Sequence, residues 1–498
     1  MTSAAPDGTA PAFRGRYGRR GVRIDGYLCP MGKLSSMLEV RDPADVRSVV
    51  AAVPAMTAPE VAAAYDRART AFEGWRRANP LDRATVLARA ADLIRSRTED
   101  GAVILVRENG KTLAEARVEV TKTADFLDYY ASFARQPWGE LLTDARPGTS
   151  TSVRVEPVGV VLAICPWNDP LITPARKLGP ALIAGNAVVL KAASQTPGIA
   201  LWAAGLLLEA GLPEGVLQVI TGRNSEISAA LLASPDAVTF TGSNEVGALL
   251  RRTLAARNVR LQAELGGKNV SVVLPDADLD MAAATLVSAA FAQAGQRCTA
   301  TSRLIVDASV AAALESRLRD AVAGIVVGPG LDPATTMGPL SYAAHRDGVL
   351  EHIERARKEG AAVIVGGGRP SGDALAHGCY VEPTLINVTQ EQSLWRDEVF
   401  GPVLAVTTAS GFDDAVRLAN DTVYGLSAAV FTTSLTSANK FIELAEAGQV
   451  AVNLPTAGWD VHHPFGGFRE SGSAFKEQGA PGLRFYTRLK TAAVRFAW

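Results

Sequence analysis

The sequence predicts an α/β fold organised on parallel sheets. Three observations carry it: β-branched runs alternate with helix-length segments, a second block repeats the alternation, and an amphipathic helical stretch precedes both. At 498 residues the chain exceeds one ordinary core, and typical domain sizes give roughly three units.

From about residue 57 to 135, apolar residues recur at three- and four-residue spacing in TAPEVAAAYDRARTAFEGW and RATVLARAADLIRSR, with Thr57 as a helix start. This is a helical layer. VRVEPVGVVLAIC (153–165) follows as one β-branched run, and GPALIAGNAVVLKAA (179–193) closes a helix and opens a strand. GVLQVITG (215–222), DAVTFTGS (236–243) and VRLQAELGG (259–267) are further strands, each a helix-length segment from the last. NVSVVLPDAD (269–278) then opens a second α/β unit that runs through TSRLIVD, AAVIVGG, GPVLAVTTAS and AAVFTTS to QVAVNLP (449–455). The chain carries no repeat of 20 to 50 residues, and no low-complexity tract follows residue 25.

With 50 basic and 51 acidic residues and a net charge of -1, the chain has no polybasic footprint for nucleic acid or anionic lipid. A small-molecule substrate is expected. Cys29, Cys165, Cys298 and Cys379 lie far apart without a CxxC pair, which points to a reducing cytoplasm. The first residues, MTSAAPDGTAPAFRGRYGRRG, lack the apolar centre of a signal peptide and read as a loose, solvated arm; no stretch of 18 apolar residues suggests a membrane span.

Several weak motifs carry no chemistry. ENGKT (108–112) resembles the tail of a phosphate loop, but Leu105 stands where such a loop requires glycine. His345, His352, His377, His462 and His463 form no metal-binding pattern and read as surface or loop residues, so no metal is expected. VGPGLDP (327–333) and VGGGRP (365–370) read as turns.

GQRCTATSR (295–303) sets Cys298 among small and hydroxylated residues. A free thiol packs like a small hydrophobe, so its surroundings decide its role. PWNDP (166–170), VVLKAASQTP (188–197), FTGSNEVG (240–247), AELGGKN (263–269), GQRC (295–298), EVFGPV (398–403) and HPFGGFRESG (463–472) occur in one order along the chain. Together they resemble the NAD(P)-dependent aldehyde dehydrogenase superfamily, from about residue 39 onward.

The resemblance implies an aldehyde-dehydrogenase-like α/β fold. Its parts would be a flexible arm (1–22), a Rossmann-like NAD(P)-binding domain (23–139 and 158–266), an α/β catalytic domain (267–470) and a small β oligomerisation arm (140–157 and 478–498). The strands of that arm need a partner, so a homodimer or homotetramer is implied.

Oxidising an aldehyde by hydride transfer first needs a tetrahedral adduct, and a soft nucleophile supplies a thiohemiacetal and then a thioester. The resemblance gives that role to Cys298, placed at a helix start whose dipole favours the thiolate. It makes the Asn168 amide and the Cys298 backbone N–H the oxyanion donors, Glu264 the base that activates water, and Lys177 a proton-handling group. The cofactor residues are then Trp167, Lys191, Gly242 (with Gly247 in a GxxxxG turn), Ser243 at a helix opening, and Glu398 and Phe400 at the nicotinamide end.

The chain departs from the common pattern in three places. Ser194 stands where a glutamate that repels a 2′-phosphate is frequent, and Arg223 adds a positive partner, so NADP is favoured over NAD. RNSE replaces a glycine-rich turn after GVLQVITG. Asp169 follows Asn168 in place of an apolar residue, with Arg176 about two helical turns on, nearly on the same face.

ITPARKLGPALIAGN is similar to the segment of succinate-semialdehyde dehydrogenases whose arginine holds the substrate carboxylate. The tail, NLPTAGWDVHHPFGG with EQG (477–479) and FYT (485–487), is similar to that of 2-oxoglutarate-semialdehyde and vanillin-type enzymes. A free Arg176 suits a carboxylate-bearing semialdehyde, which is the leading expectation. An Asp169–Arg176 pair suits hydroxylated or aromatic aldehydes, and a free Asp169 beside Trp459 suits an aminoaldehyde. Among rival classes, CoA-acylating dehydrogenases generally lack the glutamate base, a Cys–His hydrolase needs a placed histidine, and an inactive binding homologue would have lost Cys298, Glu264 or Asn168.

Overall fold

A computed structural model describes residues 16–18, 21–24, 27–29 and 36–496. Thr57 starts the first helix of the helical layer, Ala58–Trp75, its backbone N–H donating to the Glu60 carboxylate at 2.7 Å. Helices Pro80–Ser96, Thr98–Asn109 and Leu113–Ala131 complete the layer. Thr112 and Glu115 form a second such box at the start of the last one. Gly110 (φ 91°) ends Thr98–Asn109 in the left-handed region, where a Cβ would lie 2.9 Å from the Pro339 ring.

The first sheet has the strand order Leu217–Ile220, Ala187–Lys191, Val160–Ile164, Ala237–Thr241, Arg260–Glu264, with every neighbouring pair parallel. Ala187–Lys191 is buried along its whole length, because helices cover both faces. One face packs on Leu87, Leu182, Trp202 and Leu206, the other on Tyr65, Leu250 and Leu254. The order reverses between Val160–Ile164 and Ala237–Thr241, which opens a crevice at the carboxyl ends of the strands.

The second sheet runs Ala362–Val365, Thr384–Asn387, Val403–Ala409, Arg303–Asp307, Val270–Val273, Ser427–Phe431, Gln449–Val452, and only its first strand is antiparallel. The first sheet is the one expected from the β-branched runs; in the second, Thr384–Asn387 was not expected, and Ala362–Val365 joins antiparallel. The short link from Glu264 to Val270 sets the end of the first sheet beside the start of the second.

Residues 153–165 are not one strand. Gly159 (φ 138°) turns the chain where a Cβ would lie 2.2 Å from Asp236 Oδ2. Thr149–Pro157 therefore leaves to pair antiparallel with Gly139–Leu142 and Thr487–Arg495, while Val160–Ile164 enters the first sheet. Of the loose arm expected over 1–22, residues 1–15 and 19–20 lie outside the described residues. Arg16–Gly18, Gly21–Ile24 and Tyr27–Cys29 pair as antiparallel strands. Among the described residues, no helix is long and apolar enough to cross a membrane.

Candidate active site

Cys298 does not open a helix. Helix Leu279–Phe291 ends in a 3-10 turn, Ala292–Gly295, in which Gln293 and Ala294 both take φ 53°, and the next element is the strand Arg303–Asp307. Gly295 packs so tightly that a Cβ would lie 2.2 Å from the Gly401 carbonyl oxygen. The carbonyls that a helix would use are taken by side chains instead: Asn269 Nδ2 donates to Cys298 O at 2.7 Å and to Ala300 O at 2.8 Å, and Thr456 Oγ1 donates to Thr299 O at 2.7 Å. Without a helix dipole, burial pushes the Cys298 thiol up to about 12. Arg176 pulls against this, while Asp169, Glu264 and Glu398 add to the rise.

Asn168 lies in the loop after Val160–Ile164, at the reversal of strand order. It is buried, and its Nδ2 donates to Gln296 O at 3.0 Å, which ties it to the turn of Cys298 and leaves its second N–H for another acceptor. Gln296 Oε1 in turn accepts from the Ser341 N–H at 2.9 Å.

Glu264 ends the first sheet with its side chain 2% exposed. Its Oε1 accepts from Gln262 Nε2 at 3.2 Å and its buried Oε2 has no partner among the described residues. Burial, and then the negative charge of Glu477, push its carboxyl well above the ordinary range. Behind it runs a buried network: Gln262 accepts a short hydrogen bond from Thr239 Oγ1, which accepts from Lys177 Nζ at 2.8 Å, and Lys177 Nζ stands 2.5 Å from Glu477 Oε1. Glu477 arrives because residues 471–477 fold back on the first sheet, with Leu265 N–H donating to Ser471 O and Ser473 N–H to Ala263 O, both at 3.0 Å. Sequence reasoning assigned no role to Glu477, Gln262 or Thr239; the only signal for the first was the EQG triplet.

Asp169 and Arg176 do not pair with each other. Asp169 Oδ1 accepts from Lys111 Nζ at 2.8 Å, and Lys111 is buried with a second, short contact to Glu119. Arg176 faces Glu477 at 3.5 Å and is flanked by the rings of Phe126 (5.4 Å) and Phe465 (4.8 Å), with its Nε lacking an acceptor. Neither is free, because a buried charge recruits the nearest opposite one. Arg297, half-buried beside Cys298, helps to hold the Asp169 carboxyl down to about 2 against burial, after Lys111. No hydrogen bond or ion pair of its guanidinium is found among the described residues. Trp459 is turned to Thr456, its Nε1 donating to Thr456 O at 3.1 Å, and meets the His463 ring at 6.1 Å.

The residues expected to hold a dinucleotide line the carboxyl ends of the first sheet. Lys191 Nζ is buried with the Ala192 carbonyl at 2.6 Å, and burial pulls it down to about 8. Ser194 Oγ donates to Gly222 O at 3.1 Å, while Arg223 is exposed and pairs with Glu226 at 3.6 Å. Gly242 and Gly247 allow close packing: a Cβ would lie 2.5 Å from the Phe240 ring and 2.6 Å from Leu265, respectively. Ser243 caps helix Asn244–Ala255, its Oγ accepting from the Val246 N–H at 3.4 Å.

Glu398 Oε1 accepts from the Gly267 N–H at 2.9 Å, and burial pushes its carboxyl up to about 7. Phe400 (φ 55°) sets its ring 5.5 Å from that of Trp167. His345 is not a surface histidine: it sits on helix Ala343–Lys358, with its ring 5.1 Å from Trp167 and Nε2 2.8 Å from Phe400 O. These groups fit a dinucleotide: a buried cation with one carbonyl acceptor, a capped helix start, and a carboxylate and aromatic pair near the thiol.

The aldehyde dehydrogenase family profile matches residues 31–492. An alpha-ketoglutarate semialdehyde dehydrogenase of Haloferax volcanii is 42% identical over 457 residues, 91% of this chain and 94% of that protein. An alpha-ketoglutaric semialdehyde dehydrogenase of Bacillus subtilis is 36% identical, covering 92% and 95%. A 2,5-dioxopentanoate dehydrogenase of Saccharolobus solfataricus is 38% identical, covering 90% and 94%. Among solved structures, betaine aldehyde dehydrogenase from Staphylococcus aureus in complex with NAD+ superimposes with a TM-score of 0.91 at 32% identity, covering 95% and 94%.

Proposed function

The chain belongs to the aldehyde dehydrogenase family, and from that premise we propose that it oxidises a carboxylate-bearing semialdehyde of the 2-oxo kind to the dicarboxylic acid. NADP+ or NAD+ accepts the hydride and water supplies the second acid oxygen. Alpha-ketoglutarate semialdehyde and 2,5-dioxopentanoate are two names of one compound, so three relatives bear on the same substrate.

The observation that carries the carboxylate is the charge pattern beside Cys298. Asp169 is engaged by Lys111, which argues against it as the partner of an aminoaldehyde, whereas Arg297 remains without a protein acceptor among the described residues. Arg176, against Glu477, adds a second cation.

Cys298 gives up its thiol proton to solvent, its Sγ attacks the aldehyde carbon, and the oxyanion that forms meets the spare Asn168 N–H and the Cys298 backbone N–H. When bound, the oxidised cofactor supplies a positive ring and takes the hydride. Lys191, Ser243, Trp167, Glu398 and Phe400 would hold it. The partnerless Oε2 of Glu264 then takes a proton from the water that attacks the thioester, and burial with the charge of Glu477, which raise its carboxyl well above the ordinary range, make the carboxylate a stronger base. Glu264 favours hydrolysis over transfer to CoA.

NADP is preferred on this reading because Ser194 presents no carboxylate to a 2′-phosphate and Arg223 stands on the following turn. The protein works in the cytoplasm, where Cys298 stays reduced, as a homodimer or homotetramer. The arm sheet supports assembly, with Leu141 82% and Leu489 73% exposed on its outer strands.

The test is purified protein against 2-oxoglutarate semialdehyde, succinic semialdehyde, an aminoaldehyde and vanillin, with each cofactor and with CoA present or absent. The semialdehydes should give the highest kcat/KM and the free acid as product. A higher kcat/KM for the aminoaldehyde or vanillin, or an acyl-CoA product, would overturn the proposal. Native mass measurement checks the assembly.

A further inference from the structure

We propose that Lys111 is a positioning residue for the oxyanion donor: from outside the reaction chamber it clamps the loop that carries Asn168. The inference rests on the reading of Asn168 given above. Lys111 is buried, and one ammonium joins two carboxylates from different elements. Asp169 stands 2.8 Å away, and Glu119, on helix Leu113–Ala131, makes the short contact on the other side.

Each partner grips the loop in a different way. Asp169 is the residue directly after Asn168. Glu119 Oε1 accepts from the Leu171 and Ile172 N–H groups at 2.9 and 3.2 Å, which seats the first turn of helix Ile172–Ile183, the helix of Arg176 and Lys177. On the other flank of Asn168, Asn109 Nδ2 donates to Trp167 O at 2.8 Å. The loop is thus held before, at and after the residue that follows Asn168 by side chains of one segment, 109–119.

That segment is itself rigid. The Leu113 N–H donates to Gly330 O at 2.9 Å, and Gly330 packs so closely that a Cβ would lie 2.0 Å from Lys111 O. Gly110 is pressed against Pro339 and Pro43 in the left-handed region. A buried ion cluster contributes little net stability over apolar side chains of the same size, but it dictates one geometry. Oxyanion donors demand this, because their effect depends on position to a fraction of an ångström.

The cluster also leaves Asn168 with one of its two amide hydrogens free. With the loop pinned, Nδ2 spends one on Gln296 O at 3.0 Å, and among the described residues no acceptor for the other is found. A loosened loop lets the amide turn away.

The experiment is a double-mutant cycle of Lys111→Met with Asn168→Ala, reading kcat, aldehyde KM and the dissociation constant of the oxidised cofactor. Lys111→Met should lower kcat by about 10- to 100-fold, with aldehyde KM and cofactor affinity within about twofold. In its background Asn168→Ala should cost little more, because the amide is already misplaced. Additive losses, a wild-type kcat with only a lowered Tm, or a raised KM at unchanged kcat would each overturn the proposal.

If Lys111→Met does not fold, Asp169→Asn keeps the Lys111–Glu119 pair and enters the same cycle with the same criteria. Should Asn168→Ala alone leave kcat unchanged, the oxyanion reading itself fails. That outcome is distinct from an additive cycle, which removes only Lys111.

Discussion

Lys177 Nζ stands 2.5 Å from Glu477 Oε1 although 300 residues separate them, and the pair sits behind the Glu264 carboxyl. After burial, the charge of Glu477 is the largest cause that raises Glu264, while Lys177 works in the opposite direction. With Glu264 as the proposed base, the active form is the unprotonated one, so deacylation should gain rate as pH rises through its pKa. Glu477→Gln removes a negative neighbour and should move the rising limb of the kcat–pH profile to lower pH. Lys177→Met removes a cation and should move it to higher pH. Full profiles of both variants check this, and limbs that stay in place would detach the network from the base.

Arg297 and Arg176 make separable predictions. Losing a charge-assisted hydrogen bond costs about 1.5–3 kcal/mol, so Arg297→Met should raise the KM for a carboxylate-bearing semialdehyde by about 10- to 150-fold. The kcat/KM for propanal, which has no carboxylate, should stay within about twofold. Arg176→Met should instead lower Tm as well, because it strips a counter-charge from the buried Glu477. Steady-state kinetics and thermal melts of the two variants distinguish them.

Ser194→Glu tests the cofactor reading. A carboxylate about 4 Å from a 2′-phosphate costs about 4 kcal/mol at an effective dielectric near 20, close to a 10³-fold loss of kcat/KM for NADP. The value for NAD should change by less than about tenfold. A wild-type enzyme already tenfold better with NAD would contradict the NADP preference.

Gly466→Ala should slow the enzyme without touching the nucleophile. At φ 138° the new Cβ would lie 2.6 Å from Glu264 Oε1, so the carboxylate has to move. A displacement of this size should lower kcat by about 10²-fold. Labelling of Cys298 by iodoacetamide should be unchanged, and mass spectrometry of the alkylated variant follows it. Wild-type turnover would show that the base tolerates a new position.

Much of the fold was legible because burial writes itself along the chain. Ala187–Lys191 and Val270–Val273 are apolar runs because both faces of their sheets are covered, and Thr57 opens a helix through contacts three residues away. The pattern alone runs 153–165 together because both halves are β-branched; the resemblance divides it after 157, and the close approach of Gly159 to Asp236 marks the turn that sends the halves to different sheets. Cys298, Asn168, Glu264 and Glu398 were legible as motifs. The helix start expected at Cys298 was not there, because Asn269 and Thr456, distant in sequence, take the carbonyls of that turn.

By itself, the sequence determined the alternation of strands and helices and the family motifs that carry the proposed reacting groups, all of which depend on neighbours within a few residues. Only the tertiary structure decided which charges remain available: Asp169 is claimed by Lys111 from 58 residues away and Arg176 by Glu477 from 301. A charge leaving water must find a partner wherever packing brings one, and that choice is made by three-dimensional proximity, which no local pattern encodes. ENGKT therefore looked like a failed phosphate loop, and in the fold its lysine holds the loop of Asn168.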